Sequence, residues 1–448
     1  MKLPNSPKTP HFLQQFQWFT NPVGYVEAAQ KSYGDIFTTS VVLPRPIVLV
    51  SHPEALKQVL NDTHNLTAPG ELSEAIRPLF GNDSVVILDG EKHMRQRKLL
   101  MPPFHGARMR SYGQLICDIT ENVMKQQIAG KTFSIRSAMQ DISLQVIIEA
   151  VFGFRDKERG EQFRQLFLSL FSDFRAPLAA IAFVVPFLQR DLGWWSPWRH
   201  LLRVRQKIDE LFDAEIEERR KYPDSDRVDV LNLLISARDE DDRPMTNQEL
   251  SDQLTTLLFT GQDNTATAIA WALYWIHKQP GVRDKLLQEL DSLGETKDPM
   301  SVFRLPYLTA VCNETLRMYP VTMLTSGRMV KLPVNIMGHQ LEPGTPLFGC
   351  IYLTHHREDI YPDPKQFKPE RFLEKQFSPY EFLPFGGGVR RCIGEALAQM
   401  EMKLVLATIL SRYQLVLADK QPEKPQSRGL TLVPANGVRM VIQGQRGH

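Results

Sequence analysis

Helical periodicity of apolar positions covers most of the chain, and strand-like runs cover a smaller part. Helices are predicted at 23–33, 53–60, 111–155, 160–220 with a break near 175–199, and 246–278. Runs of β-branched and aromatic residues predict strands at 35–42, 47–50, 330–336, 346–352 and from 430 onward. The segment 61–90 shows little periodicity, and a segment of that length is usually functional or disordered. The pattern therefore indicates a mostly helical fold with a smaller β-rich part.

The longest predicted helix runs from 246 to 278. Thr246 and Glu249 have the spacing of a capping box, and Gln279 with Pro280 ends the helix. About 32 residues at ~1.5 Å each give a rod of roughly 48 Å, which is long enough to cross a domain. Gly261 lies near its middle, where glycine costs about 1 kcal/mol relative to alanine. We therefore expect a compensating role for Gly261, such as the close approach of a ligand.

The segment 385–394 reads Phe-Gly-Gly-Gly-Val-Arg-Arg-Cys-Ile-Gly and precedes a run of good helix formers. This order predicts that Cys392 lies at a helix N-terminus, where the helix dipole, Arg390 and Arg391 favour a thiolate. The glycines leave room for a broad, flat group beside the backbone. On the sulfur alone, an ordinary buried cysteine is the better interpretation.

Composition narrows the class of protein. The chain has 448 residues, 42% hydrophobic and 23% charged, with a net charge of +2. These values indicate a globular protein with a large core and no nucleic-acid partner. The four cysteines lie far apart, so neither a zinc site nor a disulfide framework is expected, and a reducing cytoplasm fits. The apolar run 176–188 contains two prolines and is shorter than the ~18 residues of a spanning helix, so we expect no transmembrane anchor.

The spacing Phe385-x-x-Gly388-x-Arg390-x-Cys392-x-Gly394 resembles the haem-binding loop of the cytochrome P450 family. The resemblance implies haem b as cofactor, with Cys392 as the proximal thiolate ligand of the iron. It also implies that Phe385 packs beneath the haem and that Arg390 reaches a haem propionate. Gly394 completes the loop.

Two further segments resemble the family's propionate-binding segments. His93 and Arg97 lie four residues apart on one predicted helix face, and the resemblance assigns both to the haem. A solvated basic face is the simpler interpretation, and it is kept for Arg95 and Lys98. Arg328 resembles a third propionate ligand.

Glu314 and Arg317 are three residues apart, a spacing that usually gives a modest surface ion pair. Together with Arg371 in the Phe-Lys-Pro-Glu-Arg-Phe segment, they resemble the family's Glu-x-x-Arg network. The resemblance implies a structural role, which is to hold the haem loop in shape.

The centre of the long helix resembles the family's oxygen-binding motif, here Thr260-Gly261-Gln262-Asp263-Asn264-Thr265. By resemblance, Gly261 opens a groove for dioxygen and Asp263 relays protons. Asn264 departs from the family pattern, which has an alcohol at that position, although its amide can donate and accept hydrogen bonds. Thr265 is a third candidate but lies ~100° further around the helix.

The resemblance also predicts a substrate pocket and a lid. The aromatic and proline-rich stretch 176–198 is interpreted as the lid, and it favours a long apolar substrate, a peripheral membrane contact, or both. Packing beneath a helix corner is the simpler alternative. The expected pocket residues are Leu72, Ile76, Val86, Phe183, Leu258, Thr260, Val321, Met323, Leu324 and Leu430.

The resemblance implies one mostly helical, triangular cytochrome P450 domain over 1–448, with an N-terminal arm at 1–22 and a β-rich lobe at 35–60 and 320–357.

The implied activity is monooxygenation of an apolar small molecule by O2. Two electrons would come from separate chains, a ferredoxin and its reductase, docking near Lys92, Arg95, Arg391 and Lys403. A monomer is expected. A finer resemblance of 188–198 to cyanobacterial-type members suggests a long-chain fatty acid, a retinoid or a terpenoid as substrate.

Two alternatives stay open. The first is a haem-thiolate enzyme that uses peroxide or rearranges an oxygenated lipid without an external electron donor, which Asn264 motivates. The second is a non-enzymatic haem or apolar-ligand binding protein, against which the motif at 260–265 argues.

Overall fold

The computed structural model describes residues 3–41, 45–70, 72, 76–104, 106, 108–175, 197–224, 226–294, 298–428 and 431–446. Most of these residues are helical. The helices are α1 His11–Thr20, α2 Pro22–Tyr33, α3 Pro53–Asn61, α4 Arg77–Phe80, α5 Gly90–Leu100, α6 Arg108–Lys125, α7 Ile135–Phe152, α8 Lys157–Arg175, α9 Pro197–Lys221, α10 Val230–Ser236, α11 Asn247–Lys278, α12 Pro280–Asp291, α13 Pro299–Phe303, α14 Pro306–Met318, α15 Ile351–His355, α16 Arg371–Glu374 and α17 Glu395–Arg412.

The strands are short. They are β1 Ile36–Thr39, β2 Ile47–Val50, β3 Leu66–Thr67, β4 Thr132–Ser134, β5 Arg328–Val330, β6 Val334–Ile336, β7 His339–Leu341, β8 Pro346–Gly349, β9 Tyr413–Leu417, β10 Pro425–Arg428, β11 Thr431–Pro434 and β12 Arg439–Gln445. The largest sheet has the order β1-β2-β8-β5-β3. Its β2–β8 pair is parallel, with Val48 opposite Leu347, and the other pairs are antiparallel. Smaller sheets pair β4-β12-β9, β10-β11 and β6-β7.

The chain forms two compact units. The first comprises Met1–Ala68, Gly113–Ile142 and Asn264–His448, and the second comprises Pro69–Tyr112 and Ser143–Asp263. In the first unit, fully buried side chains of the large sheet, among them Val48, Ile336 and Leu347, pack together with Val59 of α3. In the second unit, Phe152 lies at the centre of an aromatic cluster, with ring centroids of Phe163 and Phe212 at 5.0 Å and 5.2 Å. Each unit therefore has its own apolar core.

Several predicted elements are confirmed. Helix α11 has 32 residues, and its capping box is formed because the Glu249 amide donates to Thr246 Oγ1 at 3.1 Å and the Thr246 amide donates to the Glu249 carboxylate at 2.8 Å. The hairpin of β1 and β2 pairs Ile36 with Val50. Within the described residues, no helix is both long enough and apolar enough to cross a membrane.

Several predicted elements differ: strand β4 interrupts the predicted helix at 111–155, and the predicted strand at 330–336 is two strands, β5 and β6, in different sheets. The expected arm at 1–22 contains helix α1, and the predicted strand at 346–352 ends at Gly349 and continues as helix α15. Periodicity misses the boundary at Gly349 because a short buried apolar run does not distinguish a strand from a helical turn. The strand ends where a side chain has no room, since a Cβ on Gly349 would lie 2.5 Å from Leu56 Cδ2.

Candidate functional site

The cysteine loop precedes helix α17. Gly394 is the N-cap residue of α17, so Cys392 lies two residues before the cap and not within the helix. The Cys392 amide donates to the Phe385 carbonyl at 3.0 Å, and the Arg391 amide donates to the Gly388 carbonyl at 3.1 Å. These bonds close the loop into a tight turn and leave Cys392 exposed.

Two glycines are required by the backbone of this loop. Gly386 and Gly388 have φ angles of 68° and 63°, in the left-handed region that favours glycine. A Cβ on Gly388 would also lie 2.2 Å from the Leu60 carbonyl oxygen at the end of α3. By contrast, a Cβ on Gly394 would meet no atom within 4 Å, so the space beside the turn is open.

Two arginines place positive charge beside the loop. Arg328 in β5 is 3% exposed, and within the described chain it donates its side-chain hydrogen bonds to the carbonyls of Ser326, Gly327 and Gly387. Burial, and then the charge of Arg390, lowers the pKa of Arg328 to about 10. Arg390 donates to the Ala68 carbonyl at 2.6 Å. The buried Arg328 and the half-buried Arg390 together form a cationic site suited to carboxylates.

The predicted ion network is present and fully buried. Arg317 in α14 donates from Nε and Nη2 to the Glu314 carboxylate at 2.6 Å and 2.8 Å, and both side chains are 0% exposed. Arg371 Nε donates to the same carboxylate at 3.2 Å, and the Lys368 amide donates at 2.8 Å. The expectation of a modest surface pair is therefore excluded for Glu314 and Arg317.

Hydrogen bonds through His355 connect this network to the cysteine loop, and no sequence motif predicted them. Arg317 Nη1 donates to the His355 carbonyl at 2.9 Å, and the His355 ring accepts a hydrogen bond from the Leu383 amide at 3.0 Å. Leu383 is in turn bonded by its carbonyl to the Gly386 amide at 2.9 Å. The partners of His355 are remote in sequence, so local spacing gives no signal for these bonds.

The predicted oxygen-binding motif, residues 260–265, lies in the middle of α11. Asp263 and Asn264 are half-buried, Thr265 is buried and Thr260 is exposed. In the second unit, α7 packs so closely that a Cβ on Gly261 would lie 3.1 Å from Ile147 Cδ1. An alanine at this position would therefore require the Ile147 side chain to shift by a few tenths of an ångström, a constraint that does not depend on any ligand.

The predicted pair His93 and Arg97 lies on α5 of the second unit, with His93 buried and Arg97 half-buried. Arg95 is not the free surface charge that was expected. Its guanidinium forms ion pairs with Asp239 at 2.6 Å and Glu249 at 2.5 Å. Lys98 is an exposed surface charge, as predicted, and it pairs with Glu240.

The predicted pocket residues fall in both units. In the first unit, Val321 and Met323 are buried and Leu324 is half-buried. The Leu432 amide donates to the Val321 carbonyl at 2.8 Å, so the C-terminal turn does lie beside Val321. In the second unit, Leu258 is buried, whereas Leu72, Ile76 and Val86 are half-buried. Phe183, Leu430 and most of the predicted lid at 176–198 lie outside the described residues.

One positioning cluster escaped the sequence analysis. In the second unit, three side chains of α11 hold the segment before Val86. The Asp252 carboxylate accepts a hydrogen bond from the Asp83 amide at 2.9 Å, and the Gln253 side chain accepts one from the Val85 amide at 3.0 Å. The hydroxyl oxygens of Thr256 and Ser84 lie 2.7 Å apart. The spacing 252, 253 and 256 puts these side chains on neighbouring positions of one helix. Polar residues at these neighbouring positions of a long helix are the sequence signal from which the cluster could have been predicted.

The prediction that Lys403 helps to dock a redox partner is wrong. Lys403 is 6% exposed, and its Nζ donates to the Phe303 carbonyl at 3.0 Å, so it is not available to a partner protein. Arg95 is engaged in the ion pairs described above. Arg391 remains half exposed, with its guanidinium paired to Glu395 at 2.7 Å.

The first unit's donor set fits haem. Cys392 offers an accessible sulfur ahead of a helix, and buried Arg328 beside Arg390 offers two cations for two propionate carboxylates. The loop that ends in Cys392 contains Gly386, Gly387 and Gly388, and Gly394 follows two residues later. Nothing in this set contradicts a haem-thiolate site.

The chain matches the family model described as Cytochrome P450 over residues 4–440. It is 34% identical over 447 residues to the Mycobacterium tuberculosis protein named as cytochrome P450 135B1, covering 100% of this chain and 92% of that protein. It is 30% identical to the M. tuberculosis protein named as cytochrome P450 138, covering 99% of this chain and 97% of that protein. Neither name states a substrate.

Two solved structures have the same fold. One is titled "Retinoic acid bound cyanobacterial CYP120A1", with a TM-score of 0.85, 21% identity, and coverage of 99% of this chain and 100% of that one. The other is the heme domain of cytochrome P450DA, with a TM-score of 0.86, 20% identity, and coverage of 100% and 98%. The chain belongs to the cytochrome P450 family and is a haem-dependent monooxygenase.

Proposed function

We propose that this P450 hydroxylates a long-chain apolar molecule, such as a fatty acid, a retinoid or a terpenoid, using O2 and two electrons from a separate ferredoxin and ferredoxin reductase. The observation that carries the haem-thiolate part is the closed turn from Phe385 to Gly394 with Cys392 exposed, in the same unit as the buried guanidinium of Arg328 and the half-buried guanidinium of Arg390. When bound through a thiolate, haem supplies the activation of dioxygen.

Cys392 would hold the iron, and the bond from its amide to the Phe385 carbonyl would keep the sulfur in place. Arg328 and Arg390 of the first unit would bind propionates. The Glu314, Arg317 and Arg371 network would support the loop without taking part in the chemistry. Each of these groups acts by position and charge.

On the distal helix, Asp263 would carry protons and Gly261 would leave room for dioxygen. Asn264 would hydrogen-bond to the oxygen through its side-chain amide. Two further polar side chains lie in the same stretch of α11. Gln262 is 2% exposed and its Oε1 accepts no hydrogen bond within the described residues, and Thr265 is also buried.

An apolar substrate is supported by the residues expected to line the pocket. Val321, Met323 and Leu258 are buried, and Val86 follows a segment that the α11 side chains Asp252 and Gln253 hold in place. The solved relative with retinoic acid bound is a further reason to begin the search with lipid carboxylates. This similarity concerns the fold, so it guides the screen and does not replace it.

The ligand assignment is tested by the absorption spectrum of the reduced protein exposed to carbon monoxide, beside a Cys392→Ala variant. We expect a strongly red-shifted Soret band that the variant loses. Cys350→Ala is a suitable control, since Cys350 is also a free cysteine but is buried at the start of α15. A variant at Cys392 that keeps the parent spectrum would refute the assignment.

Substrate and electron source are tested together. Fatty acids, retinoids and terpenoids are screened by spin-state shift, and each ligand found is then incubated with ferredoxin, its reductase and NADPH, or with hydrogen peroxide alone. Hydroxylation that requires NADPH supports the proposal. Because Asn264 replaces the usual alcohol, a peroxide-using or lipid-rearranging enzyme is the second candidate, and turnover with peroxide but none with NADPH would favour it.

A further inference from the structure

Helix α1 presents its apolar side chains to solvent. Phe12, Phe16 and Phe19 are 67%, 64% and 50% exposed. Their spacing of four and three residues puts them on one face of the helix. The face that packs against the protein instead contains Gln14 and Trp18. This arrangement is the reverse of an ordinary surface helix, whose apolar stripe faces the core.

Specific contacts hold α1 in this orientation. Gln14 is 3% exposed; its Nε2 donates to the Thr9 carbonyl at 2.8 Å, and its Oε1 accepts from the Tyr25 hydroxyl at 3.0 Å and the Ser40 amide at 3.2 Å. Trp18 is 2% exposed and lies edge-on to Tyr25 at 6.4 Å. Rotating α1 to bury the phenylalanines would leave the Gln14 partners without their hydrogen bonds, which is costly for buried polar groups.

The surroundings of this face are basic. The sequence contains no aspartate or glutamate before Glu27, while Lys8 is exposed. Helix α1 packs against strand β10, beside which Lys424 and Arg428 are exposed. The nearest acidic group on that hairpin, Glu423, has its carboxylate bound by the Asn436 and Val438 amides at 2.9 Å and 3.1 Å. A surface that exposes aromatic rings on α1 and cations on the preceding segment and on the neighbouring strand suits an anionic lipid surface.

We propose that α1 is a docking site for an anionic lipid membrane, with Phe12, Phe16 and Phe19 inserted at the boundary between headgroups and acyl chains. A second copy of the chain is a poorer occupant. A symmetric contact through α1 would bring the exposed Lys8, Lys424 and Arg428 of one copy toward the same cations of the other, whereas an anionic surface complements them. This inference is independent of the predicted lid at 176–198 and of the proposed substrate.

The test is flotation of the haem-loaded protein with vesicles of phosphatidylcholine alone or of equal parts phosphatidylcholine and phosphatidylglycerol. We expect binding to the anionic vesicles, reduced at least about tenfold by the combined Phe12→Ser, Phe16→Ser and Phe19→Ser substitutions. The matched control replaces Leu332, Met337 and Leu373 by serine. These are 40%, 42% and 50% exposed in the same unit, and binding should be unchanged.

Full binding by the phenylalanine variant, or no binding by the parent protein, would overturn the proposal. Equal binding to both vesicle types would overturn the requirement for anionic lipid. Sedimentation without lipid measures the self-association of the parent protein, the phenylalanine variant and the control variant. Self-association that only the phenylalanine variant loses would assign α1 to a contact with a second copy of the chain. The carbon monoxide spectrum of each variant is recorded in parallel, so that failure of the haem site is distinguished from failure of membrane binding.

Discussion

The Nε2 atom of His355 accepts a hydrogen bond from the Leu383 amide at 3.0 Å, and the His355 side chain is fully buried. Its ring also lies against Phe382, with centroids 5.3 Å apart. Since the His355 carbonyl accepts from Arg317, one residue joins the buried ion network to the segment that enters the cysteine loop. Hydrogen bonds therefore connect the Glu-x-x-Arg network to the cysteine loop through His355, without involving Arg371.

We predict that His355→Leu weakens the shape of the loop, because the Leu383 amide loses its acceptor. An unsatisfied buried amide costs about 1–3 kcal/mol. The variant should show a smaller fraction of the red-shifted carbon monoxide band, and His355→Gln, which keeps an acceptor, should recover part of it. His64→Leu, at an exposed histidine, serves as control. Equal band fractions in all four proteins would argue that His355 merely fills space.

Two ion pairs of the same spacing should differ in their contribution to stability. Glu314 and Arg317 are fully buried, so we expect Glu314→Gln to lower the free energy of unfolding by about 3–5 kcal/mol. Glu161 and Arg164 make the same two-bond contact at 2.8 Å, with side chains 52% and 31% exposed. Solvent screening should limit the cost of Glu161→Gln to below about 1 kcal/mol. Urea denaturation measures both, and similar losses would contradict the prediction.

The folded protein should lose stability in mild acid. Burial lowers the pKa of His277 to about 4 and that of His356 to about 3, and it lowers the pKa of His355 well below its usual range. The unfolded chain binds these protons near pH ~6.5, so it holds more protons than the folded state below that pH. The free energy of unfolding should therefore fall from about pH 6.5 toward pH 4, by up to about 1.4 kcal/mol per pH unit for each histidine.

The measurement is the urea midpoint at about pH 7, 6 and 5. His356→Gln should flatten the decline between these values, because one of the three groups no longer takes up a proton. His64→Gln, at an exposed site, should leave the decline unchanged. A midpoint independent of pH in the parent protein would show that the buried histidines do not control acid stability.

Asn264 should affect how efficiently electrons are used. If its amide holds bound oxygen, Asn264→Ala should raise the hydrogen peroxide released per NADPH consumed, whereas Asn264→Thr, which restores the alcohol of the family pattern, should not. The assay uses a ligand found by spin-state shift. An unchanged ratio in the alanine variant would mean that the amide takes no part in the reaction.

Local rules were sufficient for some elements and not for others. The capping box at Thr246 predicts α11, and alternating β-branched residues predict the hairpin at Ile36 and Val50, because these signals depend on neighbours in sequence. Helix α1 was missed because its stable orientation depends on Gln14 reaching Tyr25 and Ser40. The surrounding prolines also favour an irregular arm.

In the candidate site, too, features that depend on sequence neighbours could be predicted, and features that depend on distant contacts could not. The Glu-x-x-Arg spacing was enough to predict the ion pair of Glu314 and Arg317, whereas the burial of Lys403 could not be predicted from its position among helix formers. The roles of the haem, oxygen and pocket residues, and the single domain over 1–448, stay predictions. The hydrogen bonds of His355 and Gln253 join segments far apart in sequence, so they require the fold.

The burial of Arg328 beside Arg390 has a consequence for producing the protein. A guanidinium that is almost fully buried next to a second cation is held at an energetic cost, which the two carboxylates of haem would offset. Porphyrin supply during expression should then limit the yield of folded chain as well as its colour. Cultures given a porphyrin precursor should yield more soluble protein, and this gain should shrink when Arg328 is replaced by glutamine.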